Sequence, residues 1–298
     1  MNDTLNQAKN IHRTNKPVPG GTMAAVHFGP VDAPVKLVFL HANGFNGLTY
    51  RNILEPLGVH VVALDLRGHG RTDLPTDDEN MARHTNYAKD LAAYLKAHID
   101  DQVILVGHSL GANAAIIASG LVPDKVTKVL ALDPIVVPLN ARAFMKTKFG
   151  RNFLMKHYPF ARNAGRRRDE FSSRTSVYDR YHGRGPFKHF PDDCLKNYIT
   201  DGFVDYKDGV RLACRPRWEM LTYVNQSQNM KRRIAALPAG SRIIITDFVK
   251  QRQGWMGRAQ QKNADLTINY YPKKDHFFPI TEPDFSREAL NDILGRQS

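Results

Sequence analysis

Cysteine and long apolar runs are both scarce in this sequence, and each absence excludes a class of protein. Only Cys194 and Cys214 occur, with neither a partner pair nor the spacing of metal ligands, so we expect no disulfide framework and no metal site. No apolar stretch is long enough to span a membrane, and residues 1–21 are polar, without the apolar core of a signal peptide. These absences predict a cytoplasmic protein without a membrane span.

Acidic residues are also few. The chain has 29 Asp and Glu against 42 Lys and Arg, so its formal net charge is +13. No internal repeat or low-complexity segment stands out. Its 298 residues, 42% of them apolar, suffice for one large core or for a core with a smaller lobe. The composition is consistent with a soluble enzyme.

The most informative feature is the run QVILVGHSLG at residues 102–111. Residues 102–106 predict a buried strand and residues 110–119 predict a helix, so Ser109 falls on the sharp turn between them. Such a turn needs small residues two positions before and after the serine, and Gly107 and Gly111 supply them. This context predicts that Ser109 is a nucleophile; the alternative is a structural serine that caps the helix.

Two further loops follow predicted strands and could complete such a site. Residues 35–40 predict a buried strand, and the loop after it contains Ala42, Asn43 and Gly44. Backbone N–H groups of this loop, together with that of Leu110, could stabilise an oxyanion, although the loop could equally be a plain turn. Late in the chain, His276 follows the strand predicted at residues 266–271. A catalytic triad in the chain order Ser, acid, His would have its general base at this place.

With these motifs the chain resembles the α/β-hydrolase superfamily, in the branch that carries a cap and includes C–C bond hydrolases, haloalkane dehalogenases and epoxide hydrolases. The matching residues are HANGF at 41–45, LDLRGHG at 64–70, GHSLG at 107–111 and the Asp275–His276 loop. The resemblance implies an α/β fold with a mostly parallel sheet. Two positions depart from the pattern: the first loop reads His-Ala instead of His-Gly, and Ser109 replaces the aspartate nucleophile of dehalogenases and epoxide hydrolases.

The third member of the triad has two candidates. Relatives most often place the acid a few residues after the strand predicted here at residues 242–246, where Asp247 is the nearest acid. Some dehalogenases instead place it at the end of the preceding strand, which here is predicted at residues 126–132 and is followed by Asp133. Either acid could hold the tautomer of His276. We favour Asp133, whose other interpretation is a turn residue at the strand exit.

Strands alternate with helices over most of the chain, which predicts right-handed crossovers and a site at the carboxyl ends of the strands. Further strands are predicted at residues 22–28 and 60–66, and helices at residues 48–57, 87–98 and 283–294. After Pro134 the alternation stops, and we expect an inserted helical segment. The predicted division is a hydrolase core in two parts, residues 1–134 and 240–298, with a cap segment at residues 135–239.

The cap segment holds nearly all of the excess positive charge. Residues 141–240 contain 21 Lys and Arg against 9 Asp and Glu. The densest cluster is Arg166, Arg167 and Arg168, and more arginines follow at positions 162, 174, 180 and 184. This surface could steer an anionic substrate toward Ser109, or it could be merely solvated. Nucleic-acid binding is not expected, because no recognised module is present.

The sequence therefore predicts a serine hydrolase that needs neither metal nor organic cofactor. Its substrate would be an ester, thioester, lactone or related carbonyl compound, either neutral or anionic. Two alternatives remain: C–C bond hydrolysis or acyl transfer by the same residues, and a catalytically silent ligand receptor or interaction module. The oligomeric state and the identity of the substrate do not follow from the sequence.

Overall fold

A computed structural model describes residues 11–247 and 255–296. Its main element is an eight-stranded sheet in the order β1-β2-β4-β3-β5-β6-β10-β11. The strands are β1 His12–Val18, β2 Gly21–Phe28, β3 Leu37–Leu40, β4 Val61–Leu64, β5 Val103–His108, β6 Val126–Leu132, β10 Arg242–Thr246 and β11 Thr267–Tyr271. Strands β1 and β2 are antiparallel to their neighbours, and the other six run parallel. The predicted fold class is confirmed.

Helices cover both faces of this sheet. Those outside the cap segment are α1 Arg51–Leu54, α2 His84–His98, α3 Leu110–Ser119, α11 Met256–Lys262, α12 Phe278–Thr281 and α13 Pro283–Ile293. Side chains of the central strands alternate between two apolar clusters: Leu105 lies on the face of α2 and α3, and Val106 lies on the face of α1 and α13. Parallel strands buried on both faces read as continuous apolar runs, which is why these strands could be predicted. No helix of the described residues is both long and apolar enough to cross a membrane.

The cap segment contains helices and also a small sheet. Its helices are α4 Leu139–Lys146, α5 Lys148–His157, α6 Pro159–Gly165, α7 Arg174–Tyr181, α8 Asp192–Gly202, α9 Pro216–Val224 and α10 Met230–Ile234. Three antiparallel strands, β7 Glu170–Phe171, β8 Phe203–Tyr206 and β9 Gly209–Leu212, form the sheet in the order β7-β9-β8. The sequence suggested a helical segment and did not predict these strands, because strands this short leave no long apolar run. The division of the chain into core and cap segment stays a prediction.

Two local predictions also differ from the structure. The helix expected at residues 48–57 is broken into a 3₁₀ turn at Gly47–Tyr50, the single turn α1 and a 3₁₀ turn at Glu55–Leu57. Pro56 lies at the start of that last turn, where its ring cannot continue an α-helix. Strand β1 lies in the polar stretch that suggested no structure, because an edge strand with mostly exposed side chains shows little apolar alternation.

The turn between β5 and α3 is built as its glycines predict. Ser109 has φ 55° and ψ −110°, a conformation that side-chain-bearing residues rarely adopt. A Cβ at Gly111 would lie 2.1 Å from the carbonyl oxygen of Leu40, and one at Gly107 would lie 2.3 Å from the backbone of Gly111. The two glycines therefore let α3 pack directly against β3 and β5, which keeps Ser109 at the carboxyl edge of the sheet.

We expect Gly111→Ala to destabilise the protein by about 3 kcal/mol, since the added methyl group would overlap rigid backbone. Gly120→Ala is the matched control at the other end of α3, where a Cβ would have its nearest contact at 3.7 Å and the backbone is already helical. This control should be neutral or slightly stabilising. Urea unfolding of both variants measures the difference. Equal free energies of unfolding would contradict the role given to Gly111.

Candidate active site

The structure brings Asp133 and His276 into direct contact. The Asp133 Oδ2 lies 2.6 Å from the Nδ1 of His276, across 143 residues of sequence. Asp133 is fully buried, and its carboxylate also accepts hydrogen bonds from the backbone N–H and the side-chain hydroxyl of Thr246, at 3.0 and 2.7 Å. Because each oxygen of the carboxylate has a fixed donor, the acid is held in one orientation relative to the imidazole.

The position of Asp133 follows from the sheet order. Residue 133 directly follows β6, and its backbone N–H donates to the carbonyl of Ile244 in the neighbouring strand β10. Its φ of 49° turns the chain sharply at that point. Asp247, the alternative acid, is exposed and accepts a hydrogen bond from the hydroxyl of Tyr270. The contacts thus favour Asp133 as the partner of His276.

Ser109 and His276 line the same cavity of about 410 Å³. Ala42, Asn43 and Leu110 also line it, so the predicted site residues of three separate loops converge there. Ser109 is 8% exposed. The other lining residues include some from the cap segment: Tyr158, Phe160, Gly185, Pro186, His189, Thr222, Tyr223 and Gln226. A cavity that combines aromatic side chains with a serine and a histidine suits an organic substrate.

Two of the four backbone N–H groups predicted to face an oxyanion already have partners. The N–H of Ala42 donates to the hydroxyl of Tyr50 at 3.2 Å, and the N–H of Gly44 donates to the Nε2 of His69 at 3.0 Å. The fold therefore does not offer these two groups to the cavity. Leu110 is the first residue of α3, where the helix supplies no acceptor for its N–H. Asn43 and Leu110 stay the candidate donors.

Two buried imidazoles fix the loop that carries Asn43. His41 donates from Nδ1 to the carbonyl of Ala42 at 2.7 Å and accepts at Nε2 from the N–H of Leu66 at 2.9 Å. His69 donates from Nδ1 to the carbonyl of Arg67 at 2.9 Å and accepts from Gly44 at Nε2. Burial lowers the pKa of His69 to about 4 and that of His41 well below its usual value. Both rings are therefore neutral at pH 7, as their acceptor roles require.

A third buried imidazole links this loop to His276. The hydroxyl of Tyr50, which accepts from Ala42, donates to the Nδ1 of His108 at 2.7 Å. The Nε2 of His108 in turn donates to the backbone carbonyl of His276 at 2.8 Å. Burial lowers the pKa of His108 well below its usual value, so the ring keeps one donor and one acceptor. One chain of hydrogen bonds thus sets the spacing between the oxyanion loop and the histidine loop.

Sequence reasoning did not identify Tyr50, His108 or His69 as supports of the site. His69, which lies in the LDLRGHG motif, is buried in the structure. His108 precedes Ser109 within the glycine motif, but that position alone says nothing about its distant partner. His84, which also lines the cavity, was missed as well; its Nδ1 accepts from the Asn113 side chain at 3.1 Å, and burial lowers its pKa to about 3.

A basic cavity of about 600 Å³ continues from the first one. The two share the lining residues Asn43, Phe45, Phe160, Gly185, Pro186, Tyr223 and Phe277. Arginines at positions 166, 167, 168, 180 and 184 line the second cavity, which we call the arginine arm. The arm therefore opens onto the same walls that enclose Ser109 and His276.

The arginines of the arm have different environments. Arg167 is mostly buried, and its guanidinium lies 2.5 Å from the Glu219 carboxylate and 2.7 Å from the Tyr198 hydroxyl. It therefore forms a structural ion pair and is not a free surface charge. Among the described residues, the other four have no acidic partner within ion-pair distance: Arg166, Arg168, Arg180 and Arg184. Arg174, predicted to belong to the cluster, pairs with Asp205 at 2.6 Å and lines neither cavity.

Comparison with known proteins agrees with this architecture. The family model described as the alpha/beta hydrolase family matches residues 37–289. The chain belongs to that family. It is 36% identical over 264 residues to the 2-(acetamidomethylene)succinate hydrolase of Mesorhizobium japonicum, covering 84% of this chain and 86% of the relative. An esterase of Mycobacterium tuberculosis, Rv0045c, is 32% identical over 116 residues, 39% of this chain and 38% of the esterase.

Solved structures show the same fold. The structure of E-2-(acetamidomethylene)succinate hydrolase aligns with a TM-score of 0.73 at 19% identity, over 96% of this chain and 100% of that one. A thioesterase domain from the curacin biosynthetic pathway aligns with a TM-score of 0.72 at 16% identity, over 96% and 99% of the two chains. The prediction of an enzyme is confirmed: the chain is a hydrolase of the α/β-hydrolase superfamily.

The contact between Asp133 and His276 predicts which acid supports turnover. Asp133→Asn should lower kcat by about three to four orders of magnitude, because an amide cannot hold the imidazole tautomer that accepts a proton. Asp247→Asn, the matched control, should retain most of the activity. Initial rates on an activated ester, with circular dichroism to verify folding, separate the two variants. The reverse ranking would move the acid to Asp247.

Proposed function

We propose that this hydrolase uses Ser109, His276 and Asp133 to cleave a carbonyl substrate that carries at least one carboxylate. The proposal rests on the continuity of the two cavities. One contains Ser109 and His276, and the other contains four arginines without acidic partners among the described residues. A substrate bound across both would present its carbonyl group to the serine and its carboxylate to the arginines.

The proposed chemistry is acyl transfer to Ser109 and then to water. The serine Oγ attacks the carbonyl carbon while the Nε2 of His276 accepts its proton, and the N–H groups of Asn43 and Leu110 stabilise the oxyanion. When the tetrahedral intermediate collapses, His276 returns the proton to the leaving group. Water, deprotonated by His276, then attacks the acyl-enzyme, and the acid product leaves as Ser109 regains its proton. Asp133 orients the imidazole and stabilises its charged form throughout.

The arginines would attract the carboxylate of the substrate and also hold it in one orientation. A guanidinium matches a carboxylate with two parallel hydrogen bonds, which fix the ligand in position as well as bind it. A concave surface of one charge sign also raises the rate at which oppositely charged substrates enter. Arg180 and Arg184 are exposed and have no acidic partner among the described residues, so they are free to take this part.

The relatives support an anionic carbonyl substrate. The similar hydrolase of Mesorhizobium japonicum is named for 2-(acetamidomethylene)succinate, which is a dicarboxylate with an acylated nitrogen. Other similar proteins are named esterase and thioesterase. We therefore propose an ester, thioester, lactone or acylated-nitrogen compound as the substrate class. C–C bond hydrolysis and acyl transfer by the same residues stay the alternatives; product analysis with ¹⁸O-labelled water distinguishes hydrolysis from transfer.

The arginine arm predicts a preference for charged substrates. With a p-nitrophenyl ester of a dicarboxylic acid, Arg180→Gln/Arg184→Gln should lower kcat/KM by about tenfold to a hundredfold, the value of one or two lost charge-assisted contacts. With the neutral isostere, in which a methyl group replaces the free carboxylate, the same variant should change kcat/KM little. The measurement is kcat/KM for both esters at low and high salt.

The control removes two positive charges from elsewhere on the protein. Arg258→Gln/Lys262→Gln changes exposed residues of α11 that line neither of these two cavities, so its ratio of the two kcat/KM values should match that of the wild type. An equal fall in both double variants would mean only a general effect of net charge. No preference for the charged ester in the wild type would remove the carboxylate from the proposal.

A further inference from the structure

A separate cavity of about 520 Å³ lies between α4, α10 and α11. It shares no lining residue with the catalytic cavity or the arginine arm. Part of its wall is apolar, formed by Val137, Leu139, three alanines and the indole of Trp255. A concave surface of this size, with an apolar wall and polar groups, has the character of a small-molecule site.

The charged groups of this cavity all have the same sign. Five cationic side chains line it: Arg142, Lys231, Arg232, Arg258 and Lys262. No Asp or Glu is among the described lining residues, and none of the five cations forms an ion pair with an acid in the described part of the chain. Five like charges around one concavity raise the local positive potential, which an anion would neutralise.

Two residues that line this cavity each have a buried N–H donor without an acceptor in the described part of the chain. Trp255 is 2% exposed, and its Nε1 finds no hydrogen-bond partner among the described residues. The Nε of Arg142 is likewise buried without a partner there. Buried donors are nearly always satisfied in folded proteins, so two unsatisfied donors on residues of one cationic cavity are unusual.

We infer that this cavity binds a phosphorylated small molecule, with its phosphates among the five cations and an apolar or planar part against Trp255. Phosphate oxygens offer several acceptors at once, which suits both the cations and the two unsatisfied donors. A monocarboxylate would leave most of the positive charge uncompensated. The inference does not depend on the proposed function, because the cavity lies apart from Ser109 and His276.

Intrinsic fluorescence gives a local measurement of binding, because the chain has only two tryptophans. In Trp218→Phe, the emission comes from Trp255 alone. Titration with pyrophosphate and with adenosine triphosphate should change that emission with saturation, and the nucleotide should bind more tightly because its base can contact the apolar wall. Since Trp218 is buried and donates to the Arg67 carbonyl, calorimetry on the wild-type protein repeats both titrations without that substitution.

Charge-removing variants of the two basic cavities test the location. Arg258→Gln/Lys262→Gln should weaken pyrophosphate binding at least tenfold, and Arg180→Gln/Arg184→Gln, which removes the same charge from the arginine arm, should leave the Trp255 signal unchanged. Trp255→Phe keeps an aromatic ring but removes the N–H donor, so calorimetry should show severalfold weaker binding. If the two double variants weaken binding equally, the attraction is nonspecific and the inference fails. It also fails if neither ligand binds to the wild type.

Discussion

The carboxylate of Asp133 is fully buried, and it keeps its place only because two strands distant in sequence lie side by side. Its backbone donates to β10, and the Thr246 of that strand donates twice to its side chain. Removing a carboxylate from water is costly unless its oxygens are hydrogen-bonded, so the pairing of β6 with β10 and the contact with His276 stabilise each other. The proposed chemistry depends on that contact, because an imidazole without it would lack a fixed tautomer.

Buried polar groups near Ser109 are also held by hydrogen bonds. His41, His69 and His108 are neutral rings whose two nitrogens each have a defined partner, and together they connect three loops of the sheet edge. Buried networks of this kind give rigidity when every member is satisfied. The cap segment contrasts with this region, because several of its arginines line a cavity and have no acidic partner in the described part of the chain. That difference separates the hydrogen-bonded surroundings of Ser109 from the cavity that we propose binds the carboxylate of the substrate.

The sequence predicted what depends on local patterns. The glycines around Ser109 predicted the turn, and the bounds of α3 agree with the predicted ones. Parallel strands share one carboxyl edge, so the sequence left both Asp133 and Asp247 as candidate acids, and the placement of the acid in some dehalogenases suggested Asp133. The supports at Tyr50 and His108 could not be predicted, since the partner of His108 lies 168 residues away. The hydrogen bonds that the Ala42 and Gly44 N–H groups make within the fold could not be predicted either, because only the packing decides which donors remain for a substrate.

If Ser109 is an activated nucleophile, as we propose, it should react with a fluorophosphonate. The serine Oγ would attack phosphorus and displace fluoride, adding a stable mass to the protein. We expect a single adduct that maps to Ser109 by peptide mass spectrometry, with labelling slowed by orders of magnitude in Asp133→Asn. No adduct in the folded wild type, or an adduct on another residue, would contradict it.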